Sequence, residues 1–328
     1  MSALILAAGR GGRLRPFTDS SPKPLLTILD CPLLALIIAD LFQAGITRIG
    51  INASYLGSHI ARFAHSVERQ YPALKLDVRI EDQLSGPAGA LRAFRDVVRS
   101  SDVTIVVSGD ALIELDFAGL VERHVATGAI FSVVTKAMTR AGRFGVVDSE
   151  PGGRVVAWRE KPEIDDAEMR SVSCGVYALA PKALDVLSTA TVVDFGPDLA
   201  VPLLRRGGRI TSIPARGYWT DIGSPDALLE ANFAALRGEI DVGALRSIAA
   251  GGIARYRTEA VIPAVEQEPV FLGRLARLDP GSVVLGPTVI GSGSHVASLA
   301  HVERSLLLPG CRIAGGDVVI DRVRGPSG

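Results

Sequence analysis

The stretch that decides the fold is Ser2-Ala3-Leu4-Ile5-Leu6-Ala7-Ala8, followed at once by Gly9-Arg10-Gly11-Gly12-Arg13-Leu14-Arg15-Pro16. Residues 2–8 form a continuous apolar run, the pattern of a central parallel strand covered on both faces. No basic region precedes the run, and it is too short for a secretory leader core or a membrane span. Glycines placed directly after such a strand let the backbone approach a polyphosphate, and their N–H groups can donate to it. Four cations, Arg10, Arg13, Arg15 and Lys23, fall within fourteen residues. Arginine suits bidentate phosphate binding and lysine acts as a point charge. The spacing is not GxxxxGK[ST], and Leu14 breaks GxGxxG, so neither a P-loop nor a dinucleotide fingerprint is present. A solvated basic loop is the alternative reading; the position straight after a buried strand favours phosphate binding.

Outward from this loop the pattern alternates. Residues 33–43 read as a helix stopped by Gly45, 48–52 as a strand, 55–70 as an amphipathic helix, 76–80 as a strand and 88–99 as a helix. Residues 103–107 are another apolar strand, ending at Ser108-Gly109-Asp110. This alternation predicts an α/β class with a doubly wound, mostly parallel sheet, whose ligands sit beyond the carboxyl ends of the strands. Further strands are expected at 130–136, 144–148, 154–159, 172–179 and 209–213, with helices near 181–188, 197–206 and 225–237. Residues 238–268, with Gly251-Gly252 and Pro263, read as a linker. The expected organisation is a catalytic domain at 1–237, the linker at 238–268 and a repeat domain at 269–328.

That last segment changes period. Read in sixes from Leu272, every first position is aliphatic: Leu272, Leu278, Val284, Ile290, Val296, Val302 and Leu308. Two positions before most of these the residue is small: Ala276, Ser282, Thr288, Ser294 and Ala300. A six-residue repeat of this kind marks a parallel β-helix, with the aliphatic residue stacked inside and the small one at the corner. Sandwich strands would instead show a period of two. His295 and His301 within this tail are expected at surface corners. A short β-helix also presents edges that invite self-association, so a homo-oligomer is expected.

Hydrophobic residues make up 48% of the 328-residue chain and charged residues 21%, an ordinary globular balance. Lys plus Arg and Asp plus Glu both total 35, and this zero net charge argues against broad nucleic-acid binding. Cys31, Cys174 and Cys311 are far apart and odd in number, which fits buried thiols in a reducing compartment better than disulfides or zinc. A cytoplasmic location is expected.

Three further places carry chemistry. Asp110, after Gly109 at a strand end, reads equally as a Mg²⁺ carboxylate and as the cap of a following turn. Asp221, in Tyr218-Trp219-Thr220-Asp221-Ile222-Gly223-Ser224-Pro225, sits among apolar neighbours and needs a metal, a cation or backbone donors. Glu160-Lys161-Pro162 follows a strand; Lys161 there could hold a phosphate, although a surface turn reads as well.

In combination, LAAGRGGRLRP…SPKPL, EDQLSGPAGAL, VVSGDAL, RFGVV, EKP, SCGVYAL and YWTDIGSP resemble the sugar-1-phosphate nucleotidyltransferase family, in family order across residues 4–225. SPKPLLTI, VTK…RFGVV and YWTDIGSP look most like its mannose-1-phosphate guanylyltransferase branch. A glucose-1-phosphate thymidylyl- or adenylyltransferase, or a non-catalytic sugar-nucleotide sensor, are the neighbouring readings. The retention of Arg13, Asp110 and Asp221 favours an enzyme over a sensor. The resemblance implies a GT-A-like nucleotide-diphospho-sugar transferase fold with a left-handed β-helix tail. It implies Mg²⁺-dependent transfer from an NTP, GTP favoured, to mannose-1-phosphate or a related sugar or cyclitol phosphate. Leu6, Ala7, Ala8, Gly9, Gly11 and Gly12 match the nucleotide loop, with Ser108 and Gly109 beside it, and Arg13 and Lys23 match the catalytic cations. Glu81 and Gly86 match the base-binding segment, and Asp110 and Asp221 match the metal ligands. Gly145, Glu160, Lys161, Ser173 and Gly175 match the sugar-phosphate pocket. The family often has Thr at 12, Asn at 108, Thr at 87 and Asn at 173, where this chain has Gly12, Ser108, Pro87 and Ser173. The shorter side chain at 173 leaves room for an unusual sugar or a cyclitol.

Overall fold

The structure, a computed structural model, describes residues 1–240, 260–262 and 268–326. Most of the linker expected at 238–268 lies outside the described residues. The chain forms two compact units: Met1–Arg10 with Asp40–Trp219, and Gly11–Ala39 with Thr220–Gly328.

The first unit is built on a nine-stranded sheet. Its strands are β1 (Ser2–Leu6), β2 (Arg48–Ala53), β3 (Lys75–Ile80), β4 (Thr104–Ser108), β5 (Phe131–Met138), β6 (Gly145–Ser149), β7 (Val155–Glu160), β8 (Arg170–Leu179) and β9 (Ile210–Pro214). They run in the order β7-β6-β8-β4-β1-β2-β3, with β5 also pairing β8 and β9 pairing β5. β1 lies between β4 and β2, and both pairs are parallel. β2–β3 and β5–β9 are parallel as well, whereas β8 runs antiparallel to β4, β5 and β6. The buried faces of β1 explain its unbroken apolar run: Ala3, Leu4 and Ile5 are at most 1% exposed.

One face of this sheet carries a core of Leu4, Leu91, Phe94, Val106, Phe131, Trp158, Tyr177 and Phe195. The rings of Tyr177 and Phe195 stack with centroids 4.2 Å apart, and Phe131 stacks on Tyr177 at 5.4 Å. Offset stacking of this kind adds about 0.5–1.5 kcal/mol per pair beyond area burial. The helix expected at 88–99 is broken into Ala90–Ala93 and Arg95–Arg99. The break falls at Phe94, which leaves helical geometry (φ −108°, ψ 28°) to drive its fully buried ring over Gly50. A Cβ at Gly50 would lie 2.7 Å from that ring, so glycine there makes the space. The helices expected at 181–188 and 197–206 are likewise shorter, with 3₁₀ and π turns at Pro181–Asp185 and Gly196–Ala200.

The second unit contains the C-terminal parallel β-helix. Its strands stack in three sheets, with parallel partners such as Leu272↔Ile290, Leu278↔Val296 and Val284↔Val302. These steps are eighteen residues, three sixes per coil. The next coil is one residue shorter: Ile290 pairs Leu307, Val296 pairs Ile313 and Val302 pairs Val319. The residue is lost at the corner between Glu303 and Leu306, where Arg304 adopts a φ of 42°. Leu307, rather than Leu308, therefore holds the interior position. The strict count of six fails there because a corner tolerates a deletion that a stacked strand does not. The helix runs on to Val318–Ile320 and Val323–Arg324. His295 and His301 lie in strands rather than at corners, each with a carboxylate beside Nε2: Asp279 at 2.9 Å and Glu303 at 3.0 Å. Among the described residues no helix is long and apolar enough to cross a membrane.

Candidate active site

In the first unit the carboxyl ends of β1, β2 and β4 are level, because Leu6 is in register with both Asn52 and Ser108. The backbone N–H of Gly109 donates to the Leu6 carbonyl at 2.8 Å. A Cβ at Gly109 would sit 2.6 Å from that oxygen, so only glycine allows the two strand ends to approach. Ala7 and Ala8 are buried, and the chain then emerges at Gly9 and Arg10. A side chain on Gly9 would meet nothing within 4 Å, so the backbone there is open.

Asp110 follows Gly109 and leads into the strand Ala111–Ile113, not into a helix. The cap of the next helix, Phe117–Thr127, is Asp116, whose Oδ1 accepts from the Gly119 N–H at 2.9 Å. That helix is thus capped by Asp116 and not by Asp110.

Glu81 and the turn after it are tied to the sheet through Asn52, a residue that the motifs did not single out. The Asn52 Oδ1 accepts from the Ala7 N–H at 2.9 Å, and its Nδ2 donates to Glu81 Oε1 at 2.8 Å. Glu81 Oε2 then accepts from the N–H and the hydroxyl of Ser85 at 3.0 and 2.8 Å. The available signal was a lone polar residue at the end of Ile49-Gly50-Ile51. The turn is pinned on its other side by Val193, which donates to Ser85 O and accepts from the Ala88 N–H. Gly86 holds a φ of 82° and faces Val193; a Cβ there would lie 2.3 Å from the Val193 carbonyl oxygen. Gly86→Ala is therefore expected to cost about 2–4 kcal/mol in urea unfolding, from overpacking and a left-handed alanine.

A second group lies along β6, β7 and β8. Gly145 and Gly196 both face Trp158 and Glu160; a Cβ on either would lie 2.9 Å from Glu160 Oε2. Trp158 Nε1 donates to that oxygen at 3.2 Å. Burial pushes the Glu160 carboxyl above its usual range; the indole donor opposes this and the nearby Asp194 charge adds to it. Lys161 is mostly exposed, with its Nζ 3.9 Å from Glu160 Oε1 and its backbone N–H on Phe144 O. Ser173 is buried and its hydroxyl donates to the Tyr177 hydroxyl at 3.1 Å. A register shift in β8 between these two residues makes this possible, with Gly175 at a φ of 72° inside it. Gly175 faces Ser108, where a Cβ would come within 2.9 Å, so the strand end of β4 and this second group adjoin.

The second unit gathers Gly11, Gly12, Arg13, Lys23 and Asp221. Gly11 is left-handed (φ 62°), and its carbonyl accepts from the Thr18 hydroxyl at 3.0 Å. Gly12 borders open space and Arg13 is exposed, while Leu14 anchors the turn at 1% exposure. Lys23 is buried, flanked by Pro22 and Pro24 at the start of the short turn Lys23–Leu25. Its Nζ lies 3.6 Å from Asp221 Oδ1, so a buried cation meets a carboxylate, as burial requires. Gly223 completes the group. A Cβ there would lie 2.8 Å from Arg13 Nη2 and 2.9 Å from Asp221 Oδ2. Asp221 does not cap the following helix Pro225–Leu236; Ser224 does, accepting from the Ala227 N–H at 3.2 Å.

A mixed sheet with a glycine–arginine loop at the end of its central parallel strand, and carboxylates just beyond two further strands, is an arrangement suited to polyphosphate ligands. The family model described as nucleotidyl transferase matches residues 2–238, and the chain belongs to that family. A UTP–glucose-1-phosphate uridylyltransferase from Synechocystis is 29% identical, over 98% of this chain and 87% of that protein. A mannose-1-phosphate guanylyltransferase from Mycobacterium tuberculosis is 27% identical over 97% of this chain and 83% of that protein. Among solved structures, a Bacillus anthracis protein described as a glucose-1-phosphate thymidylyltransferase, in complex with sucrose, superposes with a TM-score of 0.64. It is 26% identical and covers 74% of this chain and 97% of its own. The chain is an enzyme of the sugar-1-phosphate nucleotidyltransferase class, acting on an NTP and a sugar-1-phosphate.

Proposed function

We propose that this enzyme transfers GMP from GTP to mannose-1-phosphate or a related sugar or cyclitol phosphate, releases pyrophosphate and uses Mg²⁺. The observation that carries the reading is the ion pair of the buried Lys23 with the half-buried Asp221, beside the glycine turn that presents Arg13. A cation and a carboxylate side by side suit a triphosphate that arrives with a divalent ion. Guanine and mannose rest on the SPKPLLTI, RFGVV and YWTDIGSP motifs and on the M. tuberculosis relative. The Synechocystis relative supports a second reading, UTP with glucose-1-phosphate.

Divalent-metal dependence is general in this family. Asp110 and Asp221 offer hard carboxylate oxygens, the donors Mg²⁺ prefers. Among the described residues no group of three or more His, Cys, Asp or Glu side chains could hold a metal by itself. When bound, the ion supplies charge neutralisation across the phosphates.

The chain's own part is positioning and electrostatics. A phosphate oxygen of the sugar-1-phosphate attacks the α-phosphorus; the new P–O bond forms as the α–β bridge breaks, and the electron pair leaves with pyrophosphate. No protein nucleophile is needed, because the attacker is already an anion. The open backbone at Gly9 and Gly12 lies along the triphosphate, and Gly11, packed against Thr18 and Lys23, sets the turn between them. Arg13 and Lys23 neutralise the departing pyrophosphate, and Lys161 steadies the attacking phosphate. Glu81, held by Asn52 and Ser85, faces the base. Glu160, Gly145, Ser173 and Gly175 shape the sugar pocket. A cytoplasmic location and self-association through the β-helix belong to the same proposal.

The test is a competition of mannose-, glucose- and cyclitol-1-phosphates, each with GTP and with UTP, read as product formed. Mannose or cyclitol with GTP supports the proposal; glucose with UTP by a wide margin transfers it to the second reading. Ser173→Asn is expected to shift the kcat/KM ratio between acceptors by about tenfold, since it alters the side chain assigned to the sugar and its hydrogen bond to Tyr177.

A further inference from the structure

Thr27–Ile28 and Cys31–Pro32 form a small antiparallel hairpin in the second unit, directly after Lys23, with Ile28 paired to Cys31. Its two-residue turn is Leu29-Asp30, and both residues have positive φ, 45° and 68°. Turns of this shape ordinarily use Asn and Gly, so a Leu-Asp pair persists only where the surroundings fix it. Two clasps do so. The first is Asn232, fully buried in the helix Pro225–Leu236. Its Oδ1 accepts from the Leu29 N–H at 2.9 Å and its Nδ2 donates to Thr27 O at 3.1 Å. The second is Asp30 itself. Its carboxylate, on a residue only 3% exposed, accepts from the Ser292 N–H at 2.9 and 2.8 Å and from the Ser292 hydroxyl. Ser292 belongs to the β-helix, 262 residues away in sequence. The β-helix is shaped for this contact, because a Cβ at Gly273 would lie 2.1 Å from Asp30 Oδ2.

The two clasped segments are those that carry the reactive pair. Lys23 precedes the hairpin by four residues, and Asp221 precedes the Asn232 helix by four. We propose that Asp30 is a positioning residue for nucleotidyl transfer: by fastening the hairpin to Ser292, the β-helix holds Lys23 and Asp221 in their working separation. A carboxylate serves better than a neutral residue, since two donors converge on it and charge-assisted bonds are the stronger kind. The tail is then part of the catalytic apparatus as well as a scaffold. This rests on the roles given above to Lys23 and Asp221.

The test is steady-state kinetics of the full chain with Asp30→Ala, Asp30→Asn, Ser292→Ala and Gly273→Ala, alongside Asp221→Asn. Asp30→Ala is expected to lower kcat by about tenfold, since a displacement of about 1 Å can cost that much or more. KM for the sugar phosphate should stay within about twofold, because the residues assigned to its pocket belong to the other compact unit. Asp30→Asn, which keeps one acceptor for Ser292, should recover most of the loss. If Asp30→Ala does not fold, Ser292→Ala and Gly273→Ala, which keep the aspartate, should each lower kcat about threefold. Unchanged kcat in every folded clasp variant, with only the melting temperature reduced, would overturn the inference. Wild-type turnover in Asp221→Asn would instead remove the reading on which it stands.

Discussion

Asp110→Asn is expected to lower turnover by roughly 10²–10³-fold, the size of effect seen when one preorganised charge-stabilising group is lost, with the fold retained. The reasoning is local. Asp110 stands where β4 ends, and β4 is fixed in register to β1 from Ser2↔Thr104 to Leu6↔Ser108. The approach of the two strand ends depends on Gly109, which the substitution does not touch. Helix capping nearby is the work of Asp116. An amide of the same shape therefore leaves strand pairing and capping intact and removes a negative charge. If that charge serves a metal-bound triphosphate, the loss appears in kcat and in the metal concentration required for half-maximal rate. Circular dichroism and urea unfolding should match the parent within about 1 kcal/mol.

Arg13→Ala is expected to be about as severe, roughly 10³-fold in kcat, because developing charge on the leaving pyrophosphate would go unmet. Arg13 is exposed on a three-residue turn whose buried anchor is Leu14, so the turn itself should survive. Gly223→Ala supplies a finer version of the same experiment. The added methyl would fall 2.8 Å from Arg13 Nη2, the far end of a flexible side chain that can swing away at small cost. It would also crowd Asp221 Oδ2 at 2.9 Å. Turnover should thus drop by about tenfold or more while the melting temperature hardly moves. A large fall in stability with turnover preserved would mean that Gly223 serves packing alone.

Much of this arrangement was readable because it follows from strong local rules. An apolar run with no polar break specifies a buried strand, and glycines after it specify an accessible backbone; β1 and the Gly9–Gly12 loop follow directly. The period of six specified the β-helix. What escaped the sequence depends on contacts between distant segments. Asn52 carries no motif, and its role arises only when β2 lies beside β1 and Glu81 follows β3. The broken helix at Phe94 needs knowledge of Gly50, forty-four residues earlier and on another strand. Ser173 reaches Tyr177 only through a register shift in β8 that neighbouring strands impose. The clasp of Asp30 on Ser292 joins segments that no local pattern relates. Period-based reading failed at Leu308 for the opposite reason: a one-residue deletion at a corner is invisible to a fixed count but leaves the stacking of Leu307 intact.

The most direct measurement is pyrophosphate release by the purified chain with Mg²⁺, across four NTPs, each with and without a panel of sugar- and cyclitol-1-phosphates. Nucleotidyl transfer to an acceptor predicts release only when an acceptor phosphate is present, matched one for one by nucleotide-sugar product, with GTP the best donor. No release with any pair, from folded protein that still binds nucleotide, would contradict it.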